Sequence, residues 1–135
     1  MLKPLEQGGP AKNEGEDILF KPIVLNGWIF SLYGLYDLTL VDRNEKYKKA
    51  LDKAVKSLVK HLGDFDNGYW SMYDIKGKIT SPFYHNLHIA QLESLHLTFG
   101  NAENKETKEK LESYKNKQIN RTRAFIKKVA QKIAD

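Results

Sequence analysis

The sequence contains no cysteine, which excludes disulfides, thiolate zinc sites and thiol nucleophiles. It also has no apolar run long enough to cross a membrane. The most apolar stretch, residues 23–35, falls short of the ~20 residues that a membrane-spanning helix needs. The first residues lack the apolar segment of a secretory signal. We therefore expect a soluble protein with no membrane partner and, by default, a cytoplasmic location.

Acidic residues are outnumbered, because the chain has 17 Asp and Glu against 22 Lys and Arg, a formal net charge of +5. This balance favours an anionic partner, for example an acidic glycan, a nucleic acid or a membrane surface. The lysines lie mostly along the predicted outer faces of two helices and do not cluster as a nucleic-acid motif would. We expect no nucleic-acid partner, and a solvated lysine-rich surface is the simplest interpretation of the charge.

Apolar periodicity divides the chain into two parts. Residues 1–21 have no periodic pattern and are predicted to be a loop or the remnant of an upstream region. Residues 22–135 are predicted to form one helical domain. An almost wholly apolar helix from Pro22 is followed by an amphipathic helix that ends near Gly63, which predicts an antiparallel hairpin over residues 22–62. A helix that is apolar on nearly every side is expected to be buried all round or packed in an inner layer.

A different pattern occupies residues 69–80, where aromatic and polar residues alternate and predict a short β-hairpin. Ser81 and Pro82 then have the preferences of a helix N-cap and first turn, and this helix is predicted to run to about Phe99. A last long helix, from about residue 104 to residue 133, completes a second antiparallel hairpin over residues 82–134. A weak apolar pattern at residues 116–120 predicts a possible kink in that helix.

The residues best suited to chemistry lie near the start of the helix that follows Pro82. Tyr84, His88 and Gln91 fall on one helical face, and a phenol, an imidazole and an amide in a row favour sugar recognition or proton transfer. The alternative is that they are buried polar side chains satisfied by neighbouring backbone groups. His85 and His88 would supply only half of a metal site, and no further ligand has suitable spacing, so no metal is predicted.

Three segments, in order along the chain, resemble motifs in the C-terminal helical domain of D-glucuronyl C5-epimerases. Residues 24–38 read VLNGWIFSLYGLYDL, residues 68–76 read GYWSMYDIK, and residues 84–92 read YHNLHIAQL. The resemblance implies a mainly α fold, an incomplete (α/α) toroid of antiparallel helical hairpins with one short β-hairpin. It also implies epimerisation at C5 of a uronic acid unit, of the glucuronate-to-iduronate type, in an acidic polysaccharide and without a cofactor.

The resemblance further implies the residues of the site. Tyr73 and Tyr84 match active-site tyrosines of the family and are the expected catalytic pair, although a hairpin tyrosine more often serves packing. Lys76 stands where the family usually has arginine, and it would supply charge without arginine's bidentate fork. Inverting C5 requires removing a proton next to a carboxylate and returning it on the opposite face, so two acid/base groups and nearby cations are needed. The expected substrate-binding residues are Lys76, His85, His88, Gln91 and Asn26.

One family feature is missing from the sequence. The family has a Glu-Tyr-Pro run before the Asn-Gly motif, whereas residues 14–19 here read EGEDIL, and it also has further helical hairpins upstream. The chain is therefore expected to be a fragment or a degenerate copy, weakly active or inactive alone. Without the upstream hairpins, residues 23–38 are expected to expose apolar surface that favours a homo-oligomer. Two alternatives stay open: a non-catalytic carbohydrate-binding or oligomerising helical module, and a related toroid uronate lyase or glycosidase.

Overall fold

A computed structural model describes residues 23–135, and 77% of them are helical. The predicted loop or upstream remnant at residues 1–21 and the helix start at Pro22 lie outside the described residues. The elements are α1 (Leu25–Val41), α2 (Glu45–His61), a short 3-10 helix (Leu62–Phe65), α3 (Pro82–Phe99), α4 (Ala102–Lys115) and α5 (Gln118–Ala134). The predicted mainly α fold is confirmed. No helix in this part of the chain is both long enough and apolar enough to span a bilayer.

The first two helices form the predicted hairpin. Asn44 ends the turn between them, and its Oδ1 accepts a hydrogen bond from the Lys46 backbone N–H at 2.9 Å, as an N-cap should. One face of each helix is buried, through Leu25, Ile29 and Leu32 of α1 and Leu51, Val55 and Leu58 of α2.

Helix α1 is not buried all round, and it exposes apolar surface on one side, as predicted for residues 23–38. Phe30 is 59% exposed, and no described residue beyond the local helix backbone lies within 4 Å of a Cβ built at Gly27 or Gly34. Only α2 and α3 pack against α1 substantially among the described elements, so its remaining face stays uncovered.

The segment between the two helical hairpins contains isolated β-bridges and no continuous strand within residues 23–135. Hydrogen bonds typical of a hairpin do form, from the Tyr73 N–H to the Lys78 carbonyl at 2.6 Å and from the Thr80 N–H to the Ser71 carbonyl at 3.2 Å. However, neighbouring residues of this segment pair with three different partners, because Ser71 bridges to Asp66, Met72 to Ile79 and Asp74 to Val24. Each pairing therefore consists of a single β-bridge and does not extend into a ladder. Residues 69–80 are called the hairpin segment below.

Helix α3 is the centre of the fold. Ser81 caps it, Pro82 occupies its first turn, and it ends at Gly100, whose φ of 76° is the left-handed conformation that glycine tolerates best. Its buried apolar residues are Ile89, Leu92 and Leu95. Helix α4 folds back along α3 and gives the second predicted hairpin. The predicted single last helix is two helices, because the chain turns at Asn116 and Lys117 before α5 begins.

Candidate functional site

Tyr73 and Tyr84 lie against each other beside an open groove. Tyr73 belongs to the hairpin segment, and Tyr84 to the first turn of α3, where its backbone N–H donates to Ser81 Oγ at 3.3 Å. The two ring centroids are 5.3 Å apart, and the rings meet edge to face at 76°. This is a favourable arrangement for two aromatic rings. Both side chains are half-buried, so the two predicted catalytic residues share one surface.

The groove beside the two tyrosines is lined by cations. It has a volume of about 390 Å³ and is formed by Tyr73, Lys78, Ser81, Tyr84 and Lys128. Lys128 Nζ donates to the backbone carbonyl of Ile79 at 3.0 Å, and Lys78 Nζ lies 3.8 Å from Asp135 Oδ2 in an exposed pair. The two ammonium groups outnumber the one carboxylate paired with them, that of Asp135, and this excess of positive charge suits a bound carboxylate.

The side chain of Lys76 does not line this groove. Lys76 is exposed at the turn of the hairpin segment, where Asp74 Oδ1 accepts hydrogen bonds from the backbone N–H groups of Lys76 and Lys78, at 3.1 and 3.0 Å. Gly77 has a φ of 96°, and its left-handed backbone turns the chain back between the two lysines. As a result Lys78, and not Lys76, lies beside the tyrosines.

His85 is fully buried and does not line the groove. Its ring stacks on Trp70 with the centroids 3.8 Å apart, and its Nε2 lies 2.8 Å from the Leu111 carbonyl. Because a carbonyl can only accept, Nε2 carries the proton in this assignment and Nδ1 is an acceptor. The backbone N–H of Ser71 lies 3.3 Å from Nδ1 and the Ser71 hydroxyl lies 2.9 Å from it. His85 therefore ties the hairpin segment to α4.

His88 continues this buried network. Its Nδ1 lies 3.1 Å from Ser71 Oγ, whose hydroxyl also contacts Thr80 Oγ1 at 2.9 Å. In this arrangement the Ser71 hydroxyl donates its proton to His85 Nδ1. Ser71 Oγ then accepts a hydrogen bond from the N–H at Nδ1 of the neutral His88 ring. Within the described residues, His88 Nε2 is then a buried acceptor without a partner. The two histidines and Ser71 form one relay, which we call the His-Ser-His network (His85, Ser71 and His88).

Burial keeps both histidines of this network neutral. Desolvation lowers the pKa of His85 to about 4 against 6.5 in water, an effect only partly offset by the hydrogen bond to the Leu111 carbonyl. Desolvation also lowers the pKa of His88 to about 4, and the nearby His85 adds to the shift. Neither imidazole can therefore supply a positive charge to a bound carboxylate near neutral pH. They hold the hairpin segment against α3, and so position Tyr73.

Asn26 and Gln91 join α1 to α3. Gln91 Nε2 donates to the backbone carbonyl of Asn26 at 3.3 Å. Within residues 23–135, Asn26 Oδ1 and Gln91 Oε1 are buried and have no partner. Buried polar atoms are rarely left unpaired, so these two acceptors are places where a water or a ligand hydroxyl would be stabilised. Neither residue lines the groove of the two tyrosines.

Three residues important to this arrangement are absent from the predicted set. Lys78 lies two residues beyond Lys76, and the alternation of the segment would place both on one face. Lys128 lies in the last helix, far along the chain, so no local pattern links it to the tyrosines. Ser71 would lie on the same face of a strand as Tyr73, but serine is a common residue and no motif marks this one as functional.

No group of three or more histidine and acidic side chains within residues 23–135 is arranged to hold a metal ion.

Comparison with known proteins assigns the family. The family model described as D-glucuronyl C5-epimerase C-terminus matches residues 1–113 of the 135 residues. No curated protein and no solved structure matches the chain. The matched region contains the hairpin segment, α1 to α3 and nearly all of α4, whereas α5 lies beyond it. Since the match covers most of the sequence, the chain belongs to the D-glucuronyl C5-epimerase C-terminus family.

Proposed function

We propose that the groove of Tyr73 and Tyr84 binds a uronic acid unit of an acidic polysaccharide and exchanges the proton at its C5. The observation that carries the proposal is the meeting of two phenols, 5.3 Å apart between ring centroids, beside the ammonium groups of Lys78 and Lys128. Family membership suggests the reaction type, a C5 epimerisation of glucuronate to iduronate.

The reaction needs one base and one acid. One tyrosine, as a phenolate, removes the C5 proton, and the electron pair moves into the neighbouring carboxylate. The other tyrosine, as a phenol, returns a proton to the opposite face of C5. All bonds are restored with inverted geometry, so no oxidant or cofactor takes part. Because the rings touch, the sugar must lie across their hydroxyl ends, or one ring must rotate away about its side-chain bonds.

The two groove lysines stabilise the charge that develops on the carboxylate. When the C5 proton leaves, the carboxylate gains negative charge, and fixed cations nearby lower the energy of that state more than the energy of the substrate. The hydrogen bond from Lys128 to Ile79 holds its ammonium group in place before substrate arrives. In this proposal Lys78 and Lys128 carry out the role that the family resemblance implied for Lys76.

A homo-oligomer built on an incomplete toroid accounts for the uncovered face of α1. A helical toroid packs each inner helix between neighbours, whereas Phe30 here is 59% exposed and Gly27 and Gly34 border open space. We propose that a second copy covers this face. Phe30→Glu is then expected to reduce the mass measured by light scattering at tens of micromolar. Leu97→Glu is the matched control, because Leu97 is also an exposed apolar residue but lies on α3. A monomeric unmodified chain would contradict the proposal.

A non-catalytic carbohydrate-binding module is the second candidate. It is favoured by residues 14–19, which read EGEDIL where the family has a Glu-Tyr-Pro run, and by the neutral, buried state of His85 and His88. Both candidates predict binding of a glucuronate polymer, and only the first predicts exchange of its C5 proton.

Deuterium exchange separates the two candidates. The chain is incubated in D₂O with a hexasaccharide of alternating glucuronate and N-acetylglucosamine, and deuterium at C5 is measured by NMR. We expect slow exchange above a protein-free blank, and we expect Tyr84→Phe to abolish it. Tyr36→Phe is the control, because Tyr36 packs on Phe99 and does not line the groove. Binding without exchange would assign the module function, and absence of binding would overturn both candidates.

A further inference from the structure

A second cavity, of about 220 Å³, lies between the hairpin segment, α3 and α5. Its floor includes the buried residues Trp70, Thr80 and Ala124. Its rim carries Lys115, Arg121 and Lys128. The cavity is smaller than the ~300 Å³ at the lower end of drug-sized ligand sites, so it suits one sugar ring rather than an extended ligand. We call it the α5 pocket.

The three cations of the α5 pocket are available to an anion. Among residues 23–135 none of them forms an ion pair with a carboxylate. Within the described part of the chain, Lys115 Nζ donates only to Asn86 Oδ1, at 3.3 Å. The Arg121 guanidinium donates to the Lys115 carbonyl and to Gln118 Oε1, both at 2.5 Å. These contacts orient the groups and leave their charge uncompensated. Three such charges around one cavity favour an anionic ligand.

Contacts from α5 to the hairpin segment fix the shape of the pocket. Gln131 accepts a hydrogen bond from the Ile79 N–H and donates to the Gly77 carbonyl, both at 2.8 Å. Lys128 donates to the Ile79 carbonyl at 3.0 Å. One turn of α5 thus binds the backbone of the segment that also carries Tyr73. Since α5 lies beyond the residues matched to the family, this wall is an addition to the matched region.

The α5 pocket adjoins the groove of the two tyrosines. Lys128 lines both cavities. At the start of α3, Ser81 lines the groove and the neighbouring Pro82 lines the pocket. The shared wall at Lys128 would let a polymer with one unit beside Tyr84 place another unit in the pocket. The exposed ring of Phe125 and the neighbouring Pro82 also line the pocket and suit the apolar face of a sugar ring, and the rim cations suit its carboxylate.

We infer that the α5 pocket is a second subsite, which binds the carboxylate-bearing ring of another uronate unit in the same acidic polysaccharide. This inference rests on the proposed function, because it assigns the substrate of the Tyr73–Tyr84 groove as a chain with more than one uronate. The pocket contributes to affinity and to the register of the chain. It contributes no acid or base to the reaction.

The inference is tested with two substitutions that change the pocket in different ways. Arg121→Gln removes a rim charge, and Ala124→Leu fills the floor without changing the charge. Affinity is measured by isothermal titration with the hexasaccharide of alternating glucuronate and N-acetylglucosamine, and with the disaccharide unit alone. We expect each substitution to weaken hexasaccharide binding about tenfold and to leave disaccharide binding unchanged.

Matched controls separate this inference from the proposed function. Arg123→Gln removes the same charge from the same helix, but Arg123 stacks on Tyr69, with its guanidinium carbon 4.0 Å from the ring centroid, and does not line the pocket. It should leave hexasaccharide binding unchanged, and circular dichroism checks the folding of every variant. If Tyr84→Phe weakens hexasaccharide binding while Arg121→Gln and Ala124→Leu leave it intact, the second subsite alone is overturned. Absence of any binding by the unmodified chain would overturn the proposed function as well.

Two ligand controls test the chemistry of the subsite. A hexasaccharide whose carboxylates have been reduced to alcohols keeps its size and loses its charge, and Arg121→Gln should then have no effect on its weaker binding. A single-stranded DNA hexamer tests for general anion binding. Binding of the DNA as tight as that of the uronate hexasaccharide, with the same dependence on Arg121, would overturn the assignment to a sugar. If Arg121→Gln weakens the binding of a sulfated hexasaccharide but not that of the unsulfated uronate hexasaccharide, the assignment to a carboxylate is overturned.

Discussion

Acidification should destabilise the fold through the His-Ser-His network. Both imidazoles are buried and their pKa values are lowered to about 4, against 6.5 for exposed histidine. In the unfolded chain the histidines return to water and recover the ordinary value. Between these two pH values the unfolded state binds more protons than the folded state, so the free energy of unfolding falls as the pH falls. The stabilisation is fully present above about pH 6.5 and is lost towards about pH 4.

The size of the effect follows from the same values. At about pH 5 each histidine is almost fully protonated when unfolded and about one-tenth protonated when folded. The free energy of unfolding then changes by roughly 1.2 kcal/mol per pH unit for each histidine. Summed from about pH 8 to about pH 5, each contributes roughly 2 kcal/mol, or roughly 4 kcal/mol for the pair. That is a large part of the ~5–15 kcal/mol that holds a typical domain folded.

Urea unfolding followed by tryptophan fluorescence measures this dependence, because Trp70 stacks directly on His85. His88→Gln keeps hydrogen-bonding capacity at the site and removes one titrating group, so it should remove about half of the slope with pH. His61→Gln is the control, since the His61 side chain is 42% exposed and pairs with Asp64 at the surface. A free energy of unfolding that stays level from about pH 8 to about pH 5 would refute the reasoning.

Other substitutions test the local physics of the fold by the same urea assay. Ser71→Ala removes the hydroxyl that joins the two histidines and should cost about 1–3 kcal/mol, and an unchanged midpoint would show that the network does not stabilise the fold. Gly63→Ala should stabilise the chain by about 0.5–1 kcal/mol, since Gly63 lies in the 3-10 helix with open space around its Cβ position. Gly100→Ala, with φ of 76°, should instead cost about 1–2 kcal/mol, and equal effects at the two glycines would contradict this comparison. Ser81→Ala should cost about 1 kcal/mol through loss of the cap on α3, and a normal midpoint would mean that the contact with the Tyr84 N–H is unimportant.

Local patterns were sufficient to predict most of the helices. The amphipathic pattern of α2 and the Ser81 and Pro82 start of α3 each act within a few residues, and each is found in the structure. Which face of α1 is exposed could not be predicted, because apolar residues on all sides show what a helix can bury but not which neighbours are present. The division between α4 and α5 was visible only as a weak patch of the apolar pattern at residues 116–120.

The candidate site was only partly predictable, for reasons of distance along the chain. Tyr73 and Tyr84 are close in sequence, and a short turn brings them together. Lys128 reaches the same groove from α5, through hydrogen bonds that no local pattern indicates. The assignment of His85 and His88 to substrate binding stays a prediction, and their burial now favours a positioning role. A His-x-x-His spacing looks the same in sequence whether the rings face a cleft or, as here, Ser71.

The origin of the C5 hydrogen in the product tests the central claim most directly. The unmodified chain, Tyr73→Phe and Tyr84→Phe are each incubated in D₂O with the uronate hexasaccharide, and the glucuronate and iduronate units are resolved by NMR. If two phenols serve opposite faces of C5, every iduronate formed carries deuterium at C5, and loss of either phenol stops its formation. Iduronate that retains the original hydrogen, or that forms at an unchanged rate in Tyr84→Phe, would contradict the account.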